Sequence, residues 1–502
     1  MKIKVNQKKK VTFKKKRANC STLFNTKKLV EYLRKELKDC TTHGLPYIVN
    51  QEIHWFERLF WAASFVSATA IIYVLLSSQY IRYMEAPIVM SVEKDYFNWN
   101  ISFPAIILCP LDKIDNDSLA VFLNDTREEI GQDLEDYIRA LMSVSLESLH
   151  LLRMPDADIL SYIEAKNYAK ISADLFKKFD NTSLSTVTKW PMSVETAMTE
   201  MGMCHIINSN IATFDNPNNW DNSELTYAKT NIELSYHDRD FFVQILNYAD
   251  EYKIYINNPD DLILTGAPEL KYNEEGFLSF GVHTSSIKAS QDIRLIPIHL
   301  RKCRFMEETH SKRYPVYSYN RCMMECRINI INKFCGCIPY FYKPLDEKVC
   351  SLAEMRCVLF HMKEIMKFAV SNESMATMDD VTGLPTVFRE CGCLGDCEAF
   401  VYNKDHETFL PQEAMNRLRI SVSSFPKVRF VREIIFGFYD IIVRSGGVVN
   451  LCIGTSVISI MELLLTAIRI PIYGVVQLIQ MWRKNSRKGK ALVKKSKKVK
   501  IK

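Results

Sequence analysis

Closely spaced cysteines are the residues of this sequence whose positions most suggest chemistry. Ten cysteines fall within residues 303–397, and two pairs, Cys335/Cys337 and Cys391/Cys393, are separated by a single glycine. Thiolates at such spacing can bind Zn²⁺ tetrahedrally. The alternative is a set of disulfide bonds, which persist in oxidising compartments. The spacing alone does not choose between these two chemistries.

Catalytic signatures are missing from the sequence. It contains no H-E-x-x-H, no G-x-G-x-x-G and no G-x-x-x-x-G-K, and Gly454-Thr455-Ser456 lacks the second glycine of a nucleophile elbow. We therefore predict no catalytic residue, no metal site and no cofactor. An enzyme is not expected.

Two long apolar stretches are the main elements that the sequence predicts. Residues 59–81 carry no charge over 23 positions, and residues 445–468 carry only Glu462. A helix of about 20 apolar residues crosses the ~30 Å hydrocarbon core of a bilayer. Both stretches are predicted to be transmembrane helices.

The charge distribution predicts the orientation of these helices. Residues 1–58 carry 15 Lys and Arg against 5 Asp and Glu, a net charge of +10. Residues 463–502 carry +12, and because the whole chain is +7, residues 59–462 carry −15. Basic segments stay in the cytosol, so both termini are predicted to be cytosolic. The basic ends either flank the spans or attract anionic membrane lipids; nucleic acid is not an expected partner.

The chain thus divides into five predicted parts. They are a basic cytosolic region (1–58), a first transmembrane helix (59–81), an exterior domain (82–444), a second transmembrane helix (445–468) and a basic cytosolic tail (469–502). A short amphipathic helix is predicted at 26–38. In the exterior, helical periodicity at 128–152 and 159–179 precedes strand-like runs at 231–236, 240–245, 252–256, 276–282 and 292–300, which predicts an α+β fold.

Cysteines and sequons are consistent with an exterior location of the middle segment. Twelve of the 15 cysteines lie between the two spans, and this even number outside the cell favours disulfides over zinc. Five N-x-S/T sequons lie there as well and are candidate glycosylation sites, at Asn100, Asn116, Asn124, Asn181 and Asn372.

Several motifs stand in an order that resembles the degenerin/epithelial sodium channel family. They are Phe103-Pro-Ala-Ile-Ile-Leu-Cys109-Pro, Tyr317-Ser-Tyr-Asn-Arg-Cys322, Cys335-Gly-Cys337 and Cys391-Gly-Cys393 followed by Cys397. The segment 432–440, followed by Gly446-Gly447 and Gly454-Thr-Ser456, resembles the arthropod pickpocket branch of this amiloride-sensitive family. The resemblance runs from His43 to Glu462. It implies a trimeric two-span protein of the plasma membrane whose exterior has palm, finger and thumb elements.

The resemblance also implies a disulfide pairing. By the family pattern the pairs are Cys109–Cys204, Cys303–Cys397, Cys322–Cys393, Cys326–Cys391, Cys335–Cys357 and Cys337–Cys350. Three of these are nested and would fasten the thumb.

The second span carries a face of small and polar residues. Steps of about 3.5 residues place Val443, Gly447, Asn450 and Gly454 on one side of a helix, where such residues are unfavourable against lipid. A tight helix–helix interface is one interpretation. The family resemblance implies the other, a pore shared by three copies, with Gly454, Thr455 and Ser456 as its selectivity filter.

Other positions acquire roles from the resemblance. His43-Gly44 matches the family's gating pair, which lies in a re-entrant loop under the filter. Val443 occupies the position of the family's degenerin site, and Arg444 follows it directly. Asn450 takes the position of the amiloride site.

Glu462 is a candidate because a carboxylate inside a span is a functional candidate by default. It lies about 80° from Gly454 on an ideal helix, at ~100° per residue, so lining the pore requires a break at residues 454–456. A snorkelling or interhelical Glu462 is the alternative.

The function these features imply is that of a subunit in a sodium-permeable, voltage-insensitive cation channel of sensory or epithelial type. Its expected partners are sodium ions and two further subunits, identical or related. The alternative is a non-conducting auxiliary subunit or cell-surface receptor of the same fold, which the unusual Val443 and Arg444 favour. An ectoenzyme is a third alternative.

Overall fold

The structure is a computed structural model that describes residues 26–85, 87–124, 131–151, 163–186, 192–222, 224–238, 241–368, 391–411, 416–435 and 437–499. The chain divides into two compact units. The described residues before Ile88 and after Ile435 form the helical unit, and Ile88–Ile435 forms the sheet-rich unit.

The helices of the described residues are given in chain order. They are α1 (Thr26–Lys38), α2 (Leu45–Val49), α3 (Trp55–Glu85), α4 (Asn116–Asn124), α5 (Gly131–Ser143), α6 (Tyr168–Asp174), α7 (Ile298–Arg301), α8 (Tyr319–Cys335), α9 (Met355–Phe360), α10 (Met362–Lys367), α11 (Phe438–Ile453) and α12 (Val457–Val499). Short 3₁₀ turns occur at Leu149–Leu151, Ala165–Asn167, Asn181–Ser183, Ala212–Asp215, Pro217–Asn219 and Gln291–Leu295.

The strands follow the same order. They are β1 (Ile88–Glu93), β2 (Ile101–Ser102), β3 (Ala105–Pro110), β4 (Leu184–Thr186), β5 (Val194–Thr199), β6 (Gly202–Ile207), β7 (Glu233–Leu234), β8 (Phe242–Leu246), β9 (Tyr252–Asn257), β10 (Leu270–Tyr272), β11 (Gly276–Ala289), β12 (Cys303–Arg304), β13 (Gly395–Asp396), β14 (Ala399–Pro411), β15 (Arg417–Ser424) and β16 (Arg429–Ile434).

In the helical unit, α3 has the length and composition of a membrane span. Its 31 residues extend beyond the predicted 59–81 at both ends, and none of them is buried. At about 1.5 Å per residue the helix is roughly 46 Å long. A helix that is apolar on every side and exposed requires an apolar solvent.

The second apolar stretch differs from the predicted single helix over 445–468. It is divided into α11 and α12, and residues 454–456 between them are not helical. The apolar part of α12 extends to Gln480, so this candidate span, Val457–Gln480, continues well past residue 468. The interruption falls at Gly454-Thr455-Ser456, the three residues that the family resemblance implies as a filter.

Two main sheets build the sheet-rich unit. The larger has the order β1-β16-β11-β15-β8-β4, with β14 also paired to β11. The smaller has the order β10-β9-β3-β6-β5. One apolar core includes inward residues of both sheets, such as Ile106, Ile254, Val282 and Leu418. Another surrounds α5 and α8. This mixed architecture agrees with the predicted α+β class.

One predicted strand is wrong and others are shifted. Residues 292–300 form parts of a 3₁₀ turn and α7 instead of a strand. Pro297 has no N–H to donate to a strand ladder, and it is the N-cap residue of α7. Leu295 is 85% exposed, so the alternating apolar residues of this segment do not form one buried face. The other predicted runs overlap β7, β8, β9 and β11. The predicted helices at 128–152 and 159–179 fall partly outside the described residues.

Helix α8 is fixed at both ends by its own sequence. The Ser318 hydroxyl accepts the N–H of Arg321 as an N-cap, and Gly336 ends the helix in the left-handed region (φ 66°). Two cysteines of α8, Cys322 and Cys326, bond to Cys393 and Cys391. The helix is therefore held along its first half as well as at its caps.

Six disulfides lie in the sheet-rich unit. They join Cys109–Cys204, Cys303–Cys397, Cys322–Cys393, Cys326–Cys391, Cys335–Cys357 and Cys337–Cys350. These are the pairs that the family resemblance implies. Cys40 and Cys452, in the helical unit, are free thiols.

Candidate functional site

The interruption between α11 and α12 is capped on both sides. Gly454 adopts the left-handed region (φ 61°) and its N–H donates to the Asn450 carbonyl at 2.8 Å, which closes α11. Ser456 begins α12, because its hydroxyl accepts the N–H of Ser459 and the Ser459 hydroxyl accepts the N–H of Ser456. Such a reciprocal cap satisfies backbone donors that a helix start leaves open. Both helix ends at this break are therefore capped by residues of the break itself or next to it.

The turn formed by His43 and Gly44 is packed against this break. The His43 N–H donates to the Ile453 carbonyl at 3.1 Å, one of the acceptors that the end of α11 leaves open. A β-carbon on Gly454 would overlap the imidazole of His43. Gly454 is therefore required twice, by its backbone conformation and by its neighbour.

Gly44, the second residue of this turn, lies against α3. It is buried, its φ is 91°, and a β-carbon there would lie 3.4 Å from Phe65 on α3. The chain then enters α2, which has Pro46 near its N-terminus, where proline is favoured. The two residues of the predicted gating pair thus contact different elements, the interruption and the first candidate span.

Glu462 is bound by the segment that precedes His43. Its Oε2 accepts the Thr41 hydroxyl at 2.7 Å and the Thr41 backbone N–H at 3.3 Å. Ser459 Oγ lies 2.9 Å from the same hydroxyl, which has only one proton to donate. The Thr41 hydroxyl donates its hydrogen bond to the Glu462 carboxylate, because a hydrogen bond to a charged acceptor is stronger. Glu462 therefore bonds to the non-helical segment between α1 and α2.

One face of α11 is exposed in the single chain. Val443, Gly447 and Asn450 lie on it, and Arg444 is exposed beside Val443. The half-buried residues of α11, such as Val448 and Cys452, lie on other sides of the helix, which packs against α3. The small and polar stripe is thus not the interface between α11 and α3.

Two hydroxyls in this region are buried without a partner among the described residues. They belong to Thr42, which is 1% exposed, and Thr455, which is 5% exposed. The Ser456 hydroxyl, by contrast, serves as a helix cap. Within the candidate filter, Thr455 therefore has the side chain whose hydrogen-bonding capacity is unused.

Sequence reasoning assigned no role to Thr41, Ser459 and Phe65. Ser456-x-x-Ser459 before an apolar run resembles a capping signature and was a usable signal. Thr41 and Phe65 act through contacts distant in sequence, which no local pattern reveals.

The predicted glycosylation sites fall on the surface where they are described. Asn100, Asn116, Asn124 and Asn181 are exposed, and Asn372 lies outside the described residues. No group of three His, Cys, Asp or Glu side chains suited to a metal ion occurs among the described residues.

These features define a class of protein. Two helices are long and apolar enough to cross a membrane, the second following directly on a capped interruption, and a disulfide-bonded, sheet-rich unit separates them in the chain. Residues 37–465 match the family model described as amiloride-sensitive sodium channel. The chain therefore belongs to the amiloride-sensitive sodium channel family, a family of ion channels.

Relatives in Drosophila melanogaster place the chain near the pickpocket branch. It is 21% identical to Sodium channel protein Nach over 491 residues, covering 87% of each chain. It is 22% identical to Pickpocket protein 28, covering 88% of this chain and 78% of the relative. Over a shorter segment of 195 residues it is 26% identical to Pickpocket protein 11. The predicted family and branch are confirmed.

Proposed function

We propose that this chain is a subunit of a trimeric, sodium-permeable, voltage-insensitive channel of the plasma membrane. The observation that carries the proposal is the capped interruption at Gly454-Thr455-Ser456 beside the second apolar helix. Non-helical backbone at membrane depth is tolerated only where it is buried in protein or lines a water-filled path. Three such stretches around an axis would present backbone carbonyls and the hydroxyl of Ser456, which is exposed in the single chain, to a cation losing its water.

The exposed stripe of α11 supports assembly around an axis. Gly447 and Asn450 are small or polar, and lipid would not compensate their exposure. Related copies, identical or not, would cover the stripe and leave part of it facing water. Glu462 in this arrangement holds the Thr41 segment in place and does not line the path as a free carboxylate.

Current recordings from cells expressing the chain, alone and with related subunits, test conduction. Ser456→Ala removes the exposed hydroxyl of the candidate filter and should change the ratio of sodium to potassium permeability. The same substitution removes a helix cap worth about 0.5–2 kcal/mol, so it should also reduce the amount of assembled protein. Selectivity that is unchanged by Ser456→Ala, measured on the protein that does assemble, would contradict the filter assignment.

The non-conducting alternative has its own supporting observation. Arg444 is exposed on α11, ten residues before Gly454, and three such charges near a narrow mouth would repel cations by roughly 1–4 kcal/mol per pair at short range. If the chain conducts, Arg444→Ser should raise single-channel conductance, more strongly at low salt. If surface protein gives no current with Arg444→Ser, Val443→Ala or co-expressed subunits, the receptor or auxiliary function replaces conduction.

Orientation is tested independently of current. Both termini are proposed to be cytosolic, so terminal epitope tags should be detected only after permeabilisation. Glycosidase treatment should shift the electrophoretic mobility of the wild-type chain, and Asn181→Gln should reduce that shift. Detection of a terminal tag on intact cells would refute the orientation.

A further inference from the structure

A cavity of about 500 Å³ lies within the sheet-rich unit. Its walls come from the chain around residues 98–102, 227–233, 258–260 and 305–307, and from the ends of β11 and β14. This volume lies within the range of about 300–1,000 Å³ that sites for small organic molecules occupy. The cavity is therefore large enough to enclose a group of the size of a sugar.

One residue of the wall is also the acceptor residue of a sequon. Asn100 lines the cavity and is exposed, and its side chain lies beside the Glu233 carboxylate of the same wall. The other two residues of the sequon, Ile101 and Ser102, are only 1% and 4% exposed and form β2. The enzyme that modifies a sequon must reach all three residues, so it can act on this one only before β2 pairs with β7.

The order of events follows from the chain. In N-glycosylation an oligosaccharide leaves a lipid diphosphate: its sugar–phosphate bond breaks, a bond to Asn100 Nδ2 forms, and the amide releases a proton. The walls around residues 227–233, 258–260 and 305–307 are synthesised after Asn100. A glycan on Asn100 is thus in place before the cavity closes.

Aromatic side chains form much of the lining. They are Trp99, Tyr227, Phe305, Tyr317 and Phe400. The face of an aromatic ring is negative. The C–H bonds on one face of a sugar ring carry a partial positive charge, so a sugar stacks on such a ring. The lining therefore offers the kind of surface on which carbohydrate packs.

The polar groups of the wall include a donor and an acceptor that a sugar can use. Trp99 is only 5% exposed, yet its indole Nε1 has no acceptor among the described residues. A buried donor without a partner is unfavourable, and the acetamide carbonyl of an N-acetylglucosamine would supply the acceptor. Asp260 accepts the Tyr227 hydroxyl at 2.8 Å through Oδ1. A carboxylate has several acceptor sites, so Asp260 can also accept a sugar hydroxyl.

We propose that this cavity holds the first sugar of an N-linked glycan on Asn100. The N-acetylglucosamine next to Asn100 lies against the aromatic rings, its acetamide carbonyl accepts the Trp99 indole N–H, and the outer sugars leave through the exposed side at Asn100. The inference rests on the proposed exterior location of the sheet-rich unit and is independent of conduction.

Site-resolved removal of the glycans tests the proposal. The full chain is expressed in mammalian cells, purified in detergent and treated while folded with peptide N-glycosidase F, and mass spectrometry follows each sequon. Asn181, which is exposed and does not line the cavity, is the matched reference site. Asn100 should lose its glycan about tenfold more slowly than Asn181, because cleavage must wait for the cavity to open. After denaturation and reduction the two sites should be cleaved equally fast.

A variant shows whether the cavity causes this protection. Trp99→Phe removes the indole N–H and keeps an aromatic ring, so it should speed release at Asn100 towards the rate at Asn181. Trp220→Phe is the control and should leave the rate unchanged. The Trp220 Nε1 is also buried without a partner among the described residues, but Trp220 does not line the cavity.

Four outcomes would overturn the proposal. They are an unmodified Asn100 beside a glycosylated Asn181, equal release at the two sites in the folded chain, no effect of Trp99→Phe, and an equal effect of Trp220→Phe. If no sequon carries a glycan, the exterior location is refuted together with this inference. Protection of Asn100 in a chain that carries no current would leave the inference intact and refute conduction alone.

Discussion

The imidazole of His43 occupies the space that a β-carbon on Gly454 would require. The His43 backbone N–H also donates to the Ile453 carbonyl at 3.1 Å. The turn before the first candidate span and the interruption of the second are therefore one packed element. A displacement of either segment must disturb the other.

Replacing Gly454 should disrupt this element. Gly454→Ala adds a β-carbon against His43 and places it at φ 61°, where an L-residue costs roughly 1–2 kcal/mol. We expect a large loss of current per channel at the cell surface, measured by recording together with surface biotinylation. Gly446→Ala is the control, because a β-carbon there meets open space. Equal effects of the two substitutions would contradict the packing.

Thr41 and Glu462 should act as a coupled pair. In a double-mutant cycle with Thr41→Val and Glu462→Gln, we expect non-additivity of about 0.5–3 kcal/mol in the thermal stability of the purified chain. Thr41→Val removes the donor of the 2.7 Å hydrogen bond and Glu462→Gln removes the charge of its acceptor, so the double change should cost little more than Thr41→Val alone. Additive losses, with conductance reduced by Glu462→Gln alone, would favour a pore-lining carboxylate instead.

The position of Glu462 shows where sequence reasoning ended. The motif Gly454-Thr455-Ser456 indicated a break in the second span, but extrapolating a helical phase through that break is meaningless once Gly454 turns to φ 61°. The family motifs were sufficient to predict the family and to propose the cysteine pairs. The contact partner of Glu462, 421 residues earlier in the chain, was not predictable from any local pattern.

Buried ion pairs were missed for a related reason. Arg327 is 2% exposed and bonds to Glu200, which is fully buried, yet in the sequence both resemble ordinary surface charges. Burial of a charge depends on what the fold brings opposite to it. The spacing of apolar residues in the sequence does not show which charged side chains the fold buries.

Breaking this ion pair should unfold the sheet-rich unit more readily. Arg327→Met leaves the Glu200 carboxylate with only the Tyr342 hydroxyl and the Thr265 N–H as donors, and we expect a loss of about 3–5 kcal/mol. Lys166→Met is the control, since Lys166 and its partner Glu164 are 72% and 67% exposed and such pairs contribute about 0–1 kcal/mol. Thermal unfolding of the purified chain measures both, and similar losses would show that the buried charge is compensated.

The disulfide between Cys322 and Cys393 predicts a specific pattern of losses. Replacing either cysteine with serine should cost about 2–5 kcal/mol and reduce surface expression. Replacing both should be no worse than replacing one, because a single bond is lost in every case. Peptide mapping under non-reducing conditions checks the pairing, and a fragment joining Cys322 to Cys337 would refute it.

The carboxyl group of Asp396 should make stability depend on pH. Burial, together with the nearby Asp261 carboxylate, raises the pKa of Asp396 to about 7. The folded chain then keeps a proton that the unfolded chain releases near pH 4, so this contribution is complete below pH 4 and is lost as pH rises towards 7. Asp396→Asn should flatten the melting temperature over this interval relative to wild type. An unchanged slope would contradict the raised pKa, and Asp292→Asn at an exposed position is the control.

The nested disulfides also impose an order on biosynthesis. The disulfide partners of three cysteines, Cys303, Cys322 and Cys326, lie within the seven residues from Cys391 to Cys397 and are synthesised much later. By contrast, the pairs Cys335–Cys357 and Cys337–Cys350 span only 22 and 13 residues. During synthesis the two short loops can therefore oxidise while three thiols upstream remain reduced. A ribosome that stops before codon 391 releases a chain that cannot satisfy those three thiols, and quality control in an oxidising compartment has a ready signal for its removal.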